Sequence, residues 1–174
     1  LNLISAVSAN IWKYIFVDSI SLLLGGLLNT LLIVLCAFPI GIFLGSLVGI
    51  AYYVPSKNIF IKIWKWINNL YVSLFRGTPI AVQLLFIYFA MLSPLGFNKL
   101  FVAILVFGLN SGAYVSEIIR GGIASVESGQ LEAGRSLGLS YSKTMLKIVM
   151  PQAIKNIIPT LGNELISLTK ETSV

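Results

Sequence analysis

The sequence predicts an all-α, polytopic membrane protein, and three observations carry that prediction. Hydrophobic residues make up 57% of the 174 residues and charged residues only 10%, with a mean hydropathy of +0.92. A soluble domain carries about 25% charged residues, so this chain lacks the polar surface to stay in water. Apolar stretches recur at lengths matching the ~20 helical residues that cross a bilayer. Between two of them lies a polar, glycine-punctuated stretch, GQLEAGRSLGLSYSKTMLKIVMP (129–151), which reads as a structured segment outside the membrane.

The elements follow in order along one domain, 1–174. Residues 1–21 have no basic n-region and read as an interfacial segment rather than a signal, with Trp12, Lys13 and Tyr14 suited to the headgroup zone. Because the chain starts at Leu1 and not Met, it is expected to be a fragment or a processed or trimmed form. The first span, 22–54, exceeds the length needed and is expected to tilt, or to bend near Pro39. Its Gly41, Gly45 and Gly49 form a small-xxx-small ladder suited to close helix packing, although glycine is common in membrane helices anyway. In residues 55–75, Lys57, Lys62 and Lys65 alternate with Ile59, Phe60, Trp64 and Trp66, the pattern of an amphipathic helix at the interface. FRGTP (75–79) introduces a second span, 78–92, with Pro79 in its first turn and Arg76 as an anchor or loop organiser. SPLGFN (93–98) turns the chain into a third span, 99–120, and a fourth runs over 153–174.

The polar segment, 129–151, reads as two helices and a sharp turn. Residues 130–137 favour helix, with Glu132 near the positive end of the dipole and Gly138 as a left-handed C-terminal cap. Ser140 then caps a second helix carrying Lys143 and Lys147, and Pro151 marks its end or a kink. On this assignment nine basic residues lie on the side of the polar segment (Lys57, Lys62, Lys65, Arg76, Arg120, Arg135, Lys143, Lys147, Lys155), against Lys13, Lys99 and Lys170 towards the other. The positive-inside rule puts the segment in the cytoplasm and the N-terminus outside.

Several functions are excluded. The net charge of +6 is spread by topology rather than gathered into a block, so nucleic acid is not a partner and the lipid bilayer is. With no histidine and one cysteine, Cys36, in an apolar run, the chain can form no disulfide framework, Cys/His metal site or histidine-based triad. No Walker A or other phosphate-cradling glycine loop occurs, so no cofactor is expected on this chain and it is not an enzyme. Gly121 and Gly122 read as a hinge.

Two spans carry polar stripes at helical spacing. Asn110, Tyr114 and Glu117 fall at i, i+4 and i+7, while Thr160, Asn163, Glu164, Ser167, Lys170 and Glu171 share one broad face. An ionised group at mid-bilayer costs about 2.5–3.5 kcal/mol, so these faces should line a wet path or a helix interface. For a zwitterionic amino acid, Glu164 would accept from the ammonium, and Asn163, Thr169 or Lys170 would donate to the carboxylate. Alternatively, Glu164 or Glu117 pairs with Lys170 solely to hold helices together.

EAGRSLGLS (132–140) resembles the EAA loop of permease subunits of bacterial ABC importers. The family pattern is E-A-A, a glycine, and an apolar stretch ending in proline; Glu132, Ala133, Gly138 and Pro151 fill those positions, and Gly134 stands where a second alanine is usual, which should add flexibility. LNT (28–30), LFRGTPIAVQLLFIYF (74–89), LNSGAYVSEIIRGGI (109–123), GQLEA (129–133) and MPQAIKNIIPTLGNELISLTKETS (150–173) are similar to the polar amino acid subfamily, so the resemblance covers nearly everything beyond residue 20. It implies the transmembrane domain of a type I ABC importer in the bacterial cytoplasmic membrane, translocating a polar amino acid. It further implies a second permease subunit (homo- or heterodimer), ABC ATPase subunits that use ATP and Mg, and an extracytoplasmic amino-acid-binding protein. The ATPase-coupling residues would be Gln130, Glu132, Ala133, Gly134, Leu137 and Gly138. The substrate pathway would be lined by Asn110, Glu117, Thr160, Asn163, Glu164, Ser167 and Lys170. Family members continue past KETS into a fifth span, which the chain ending at Val174 is expected to lack. The alternative is a non-transporting membrane scaffold or receptor that docks an ATPase.

Overall fold

In a computed structural model of the chain, the structure describes residues 19–55 and 59–173, and every regular element among them is helical. The expected interfacial roles of Trp12, Lys13, Tyr14 and Lys57 lie outside the described residues. Helix α1 spans Ser19–Ala51, α2 Ile59–Gly77 and α3 Ile80–Phe86, the last continuing as a π-helical stretch, Ile87–Leu92, and a 3₁₀ turn, Ser93–Leu95. Helix α4 covers Lys99–Ala124, α5 Ser128–Ser136 and α6 Tyr141–Thr144. A π-helical stretch, Met145–Val149, joins α6 to α7, Met150–Glu171.

The bundle is organised around α1 packed along α4, and glycine makes that contact possible. A Cβ built on Gly41 would stand 2.7 Å from Ser111 Oγ; one on Gly45 would stand 2.6 Å from Val115 Cβ; one on Gly49 would stand 2.8 Å from the Ser116 carbonyl oxygen. The expected ladder therefore does bring two backbones together, as small-residue interfaces do. Partners rise together in number along both chains, so α1 and α4 run parallel. Helix α7 runs antiparallel to α4: Ile157 meets Gly122, Glu164 meets Ser111, and Leu168 joins Phe107. One apolar cluster gathers Val115, Ile119, Ile123, Val149, Ala153 and Ile157; a second, at the other end, gathers Val34, Ala37, Phe107 and Leu168.

Parallel α1 and α4 require the chain between them to return from one end of the bundle to the other. Helices α2 and α3 make that return as two arms bent by 105° at the break between them. Lys65 on α2 reaches the end of α1, Tyr71 reaches the middle of α4, and Leu84, Leu85, Tyr88 and Phe89 line a cavity with Asn98–Ala103 at the start of α4. Helix α2 thus extends from the end of α1 towards the middle of α4, and its Lys65 donates to the Tyr52 and Val54 carbonyls. Residues Ile80–Leu92 alone would rise only about 20 Å at 1.5 Å per residue, short of the ~30 Å hydrocarbon.

Two helices, Ser19–Ala51 and Lys99–Ala124, are long and apolar enough to cross a membrane, with a third if the bent pair is one span. Helix α7 has the length, at 22 residues, but carries Lys155, Glu164, Lys170 and Glu171. Pro151 neither ends nor marks the end of a helix. It sits in the first turn of α7, just after the π-helical stretch, where the Met150 N–H bonds back to the Met145 carbonyl and the wider turn absorbs the missing proline donor.

The glycine contacts yield a prediction. Gly45→Leu should destabilise the protein by about 1–3 kcal/mol through overpacking, read as a lowered unfolding temperature in detergent. Gly25→Leu, where no atom lies within 4 Å of an added Cβ, should leave that temperature unchanged.

Candidate functional site

The break between α2 and α3 is the most polar interior feature. Gly77 and Pro79 interrupt the helical ladder, and Pro79 stands at the N-cap of α3 in extended conformation, one position earlier than expected. The carbonyls freed by the break are answered by side chains. Gln83 Nε2 donates to the Phe75 carbonyl at 2.9 Å, to the Thr78 carbonyl at 3.0 Å and to Thr78 Oγ1 at 2.7 Å. Asn110 Nδ2 donates to the same Phe75 carbonyl and to Gln83 Oε1, both at 3.2 Å, and Tyr71 OH donates to the Leu109 carbonyl. Asn110, placed on a substrate pathway from sequence, is buried and engaged in holding this bend.

The bend projects Arg76 towards α4. Its guanidinium lies 3.5 Å from Glu117 and 5.1 Å from the centre of the Tyr114 ring. Glu117 is shared: Arg120, one turn on, donates to it through Nε at 3.0 Å and through a second guanidinium nitrogen. Arg76 and Tyr114 line two cavities, of which only the smaller has a mainly polar lining. One, about 560 Å³, is lined by Glu117, Gly121, Asn156 and Thr160; the other, about 340 Å³, by Thr78, Asn110 and Glu171.

The remaining predicted pathway residues separate. Glu164 turns into the helix interface, where its carboxylate accepts from Ser111 Oγ at 3.0 Å. Asn163 and Ser167 are exposed on α7. Lys170 lines a different groove with Leu22, Asn29, Thr30 and Thr169 beside α1. The anticipated pairing of Lys170 with Glu117 or Glu164 is therefore not formed: Lys170 leaves α7 on another side, and Arg76 and Arg120 occupy Glu117 instead. Arg76 was set aside in the sequence as an anchor, yet it touches both cavities. The signal available was its place one residue before a Gly-x-Pro break.

At the other end, α5 stops in a Schellman motif. Gly138 has φ +80°, its N–H bonds to the Arg135 carbonyl at 3.0 Å, and the Leu139 N–H bonds to the Gly134 carbonyl at 3.1 Å. Ser140 caps α6 through the Lys143 N–H, as expected. Gly134 does not supply flexibility: it is buried, and a Cβ there would collide with the methyl group of Thr144, itself fully buried. Glu132, Ala133, Leu137 and Gly138 face outward, Leu137 with 81% of its surface exposed, while Gln130 meets Gln152 at 3.4 Å. Glu132, Arg135 and Tyr141 line a groove of about 520 Å³ with Pro55.

The chain is thus a helical bundle with spans apolar enough for a membrane, a bent arm and a capped polar helix pair at one end. The chain belongs to the family of binding-protein-dependent transport system inner membrane components, whose pattern matches residues 41–174. It is 44% identical over 160 residues to the arginine transport system permease protein ArtQ of Bacillus subtilis, covering 91% of this chain and 71% of that protein. It is 40% identical over 166 residues to a putative glutamine transport system permease protein GlnP of Rickettsia typhi, covering 93% of this chain and 74% of that one. Among solved structures, the crystal structure of an amino acid ABC transporter with histidines is similar at 40% identity and a TM-score of 0.79, over 90% of this chain and 71% of that chain. As a member of this family, the chain is a permease subunit of an amino acid importer.

Gln83→Leu should leave the Phe75 and Thr78 carbonyls short of donors and cost about 1–3 kcal/mol. Faster amide hydrogen exchange confined to residues around the 75–79 break would check it.

Proposed function

We propose that this chain is the permease subunit of an ATP-driven importer that carries a polar amino acid across the bacterial cytoplasmic membrane. Two such subunits form the translocation path, ATPase subunits using ATP and Mg dock on the segment Ser128–Val149, and an extracytoplasmic binding protein delivers the amino acid. The observation that carries the reading is the agreement of most of this chain with permeases named for arginine and glutamine. The nine-to-three distribution of basic residues supports a cytoplasmic docking segment. Docking is supported by the outward faces of Glu132, Ala133 and Leu137 on a helix rigidly capped at Gly138.

The path runs past Arg76, Tyr114, Glu117, Asn156 and Thr160, with Glu171 beyond Asn110. A zwitterion needs donors for its carboxylate and an acceptor for its ammonium. Arg76 takes the donor role that the sequence offers to Asn163, Thr169 or Lys170, and Glu171 or Glu164 the acceptor role. Movement of the path between its two openings is a rigid-body change driven by the ATPases. The reading of a scaffold without transport draws on Glu164, which the Ser111 hydroxyl engages within a helix interface. It offers no use for an arginine that lines two cavities.

Reconstitution of the permease with its co-encoded ATPase and binding protein tests the assignment, with labelled arginine and glutamine as separate probes. Uptake dependent on ATP is expected for at least one; ATP consumed with both amino acids left outside would favour the scaffold. Glu132→Arg should lower uptake per ATP by about tenfold while the complex still assembles, and unchanged uptake would remove Glu132 from docking.

A further inference from the structure

The turn after α1 is met by more elements than any helix end needs for capping. Lys65 of α2 donates to the Tyr52 carbonyl at 2.8 Å and the Val54 carbonyl at 3.1 Å. Tyr141 OH, at the start of α6, donates to the Tyr53 carbonyl at 3.0 Å. Tyr53 OH donates in turn to the Arg120 carbonyl near the end of α4, at 2.8 Å. The Arg120 guanidinium lies 6.0 Å from the centre of the Tyr52 ring while holding Glu117, which faces Arg76. The Tyr53 ring also packs on the Val115–Ile157 apolar cluster.

Three consecutive residues thus join α1, α2, α4 and the docking segment, and each bond spans a long interval of sequence. The acceptors are all backbone carbonyls, which move with their helices, and the donors are two tyrosine hydroxyls and the Lys65 ammonium. From the docking segment, contact is continuous through Tyr141, Tyr53, Arg120 and Glu117 to Arg76, which lines both cavities.

We propose that the turn 52–54 is the joint through which displacement of the docking segment reaches α1, α2 and α4, with Tyr53 and Tyr141 as its positioning residues. The proposal rests on the importer reading above. Coupling through such a chain requires both links, so cutting either should break it and cutting the second should add nothing.

The test uses the complete complex in proteoliposomes, with arginine and glutamine uptake measured per ATP hydrolysed. Tyr53→Phe and Tyr141→Phe each delete one hydroxyl and keep the ring. Each should lower uptake per ATP by about fivefold, the lower end of measured coupling between sites, with basal ATP hydrolysis retained. The double variant should match the worse single. Tyr88→Phe, beside the cavity at the far end of α4, should leave the ratio unchanged. Singles that behave as wild type, or a double whose loss is the product of the singles, overturn the joint. If Tyr53→Phe fails to assemble, Tyr141→Phe paired with Lys65→Met provides the same comparison through the α2 tie. Glu132→Arg in the same assay separates the two levels: its failure to affect uptake sinks the docking reading, whereas its effect without one from the tyrosines sinks only the joint.

Discussion

The close, parallel contact of α1 with α4 is the constraint from which the rest of the bundle follows. Apolar side chains gain little by leaving lipid for one another, so the contact depends on backbone approach, which Gly41, Gly45, Gly49, Gly108 and Gly112 permit. Once the two helices run parallel, α2 and α3 must carry the chain back, and α7 must return antiparallel along the remaining face of α4. The ends of the contact also fix where the polar groups go. Ser111, opposite Gly41, is where α7 brings Glu164, and the last turn of α4 is where Arg120 meets the turn after α1.

Breaking the returning arm within an apolar bundle exposes backbone groups that lipid cannot satisfy, each at a cost of several kcal/mol. The break survives because one glutamine and one asparagine saturate it. Gln83 reaches back across the break from α3, and Asn110 reaches in from α4, so two elements agree on the position of the Phe75 carbonyl. The same geometry directs Arg76 outward from the last turn of α2, next to Tyr114 and Glu117. Closing a broken helix and placing a cation on the wall of two cavities fall to adjacent residues.

The sequence was most legible where a local rule decides the outcome. Gly138 had to be left-handed because a Schellman cap demands positive φ, and Ser140 had to cap because a free hydroxyl precedes a helical run. The glycine ladder on α1 was legible for the same reason, as periodicity within a single helix. What was not legible depended on partners distant in the chain. Periodicity could not reveal that the Lys65 ammonium donates to the Tyr52 and Val54 carbonyls in the turn after α1. Gly134 looked flexible because the contact that requires it, Thr144, lies beyond the turn. The polar stripe of α7 reads as one broad face in the sequence, but its charged residues divide among three neighbours. Glu164 meets α4, Lys170 meets α1 and Glu171 lies with Arg76.

The division of that face explains why an apolar bundle can hold so many charges. Glu117 lies between two arginines, so one carboxylate serves two guanidinium groups, while Glu171 lines the second cavity with Arg76. Glu164 is engaged by the Ser111 hydroxyl rather than by a directly paired cation. Pairing every acid with a base would have produced a neutral, closed interface, since a buried pair with satisfied geometry has little left to offer a third group. An uneven distribution leaves polar capacity unspent along α4 and α7, where a passing zwitterion would need it.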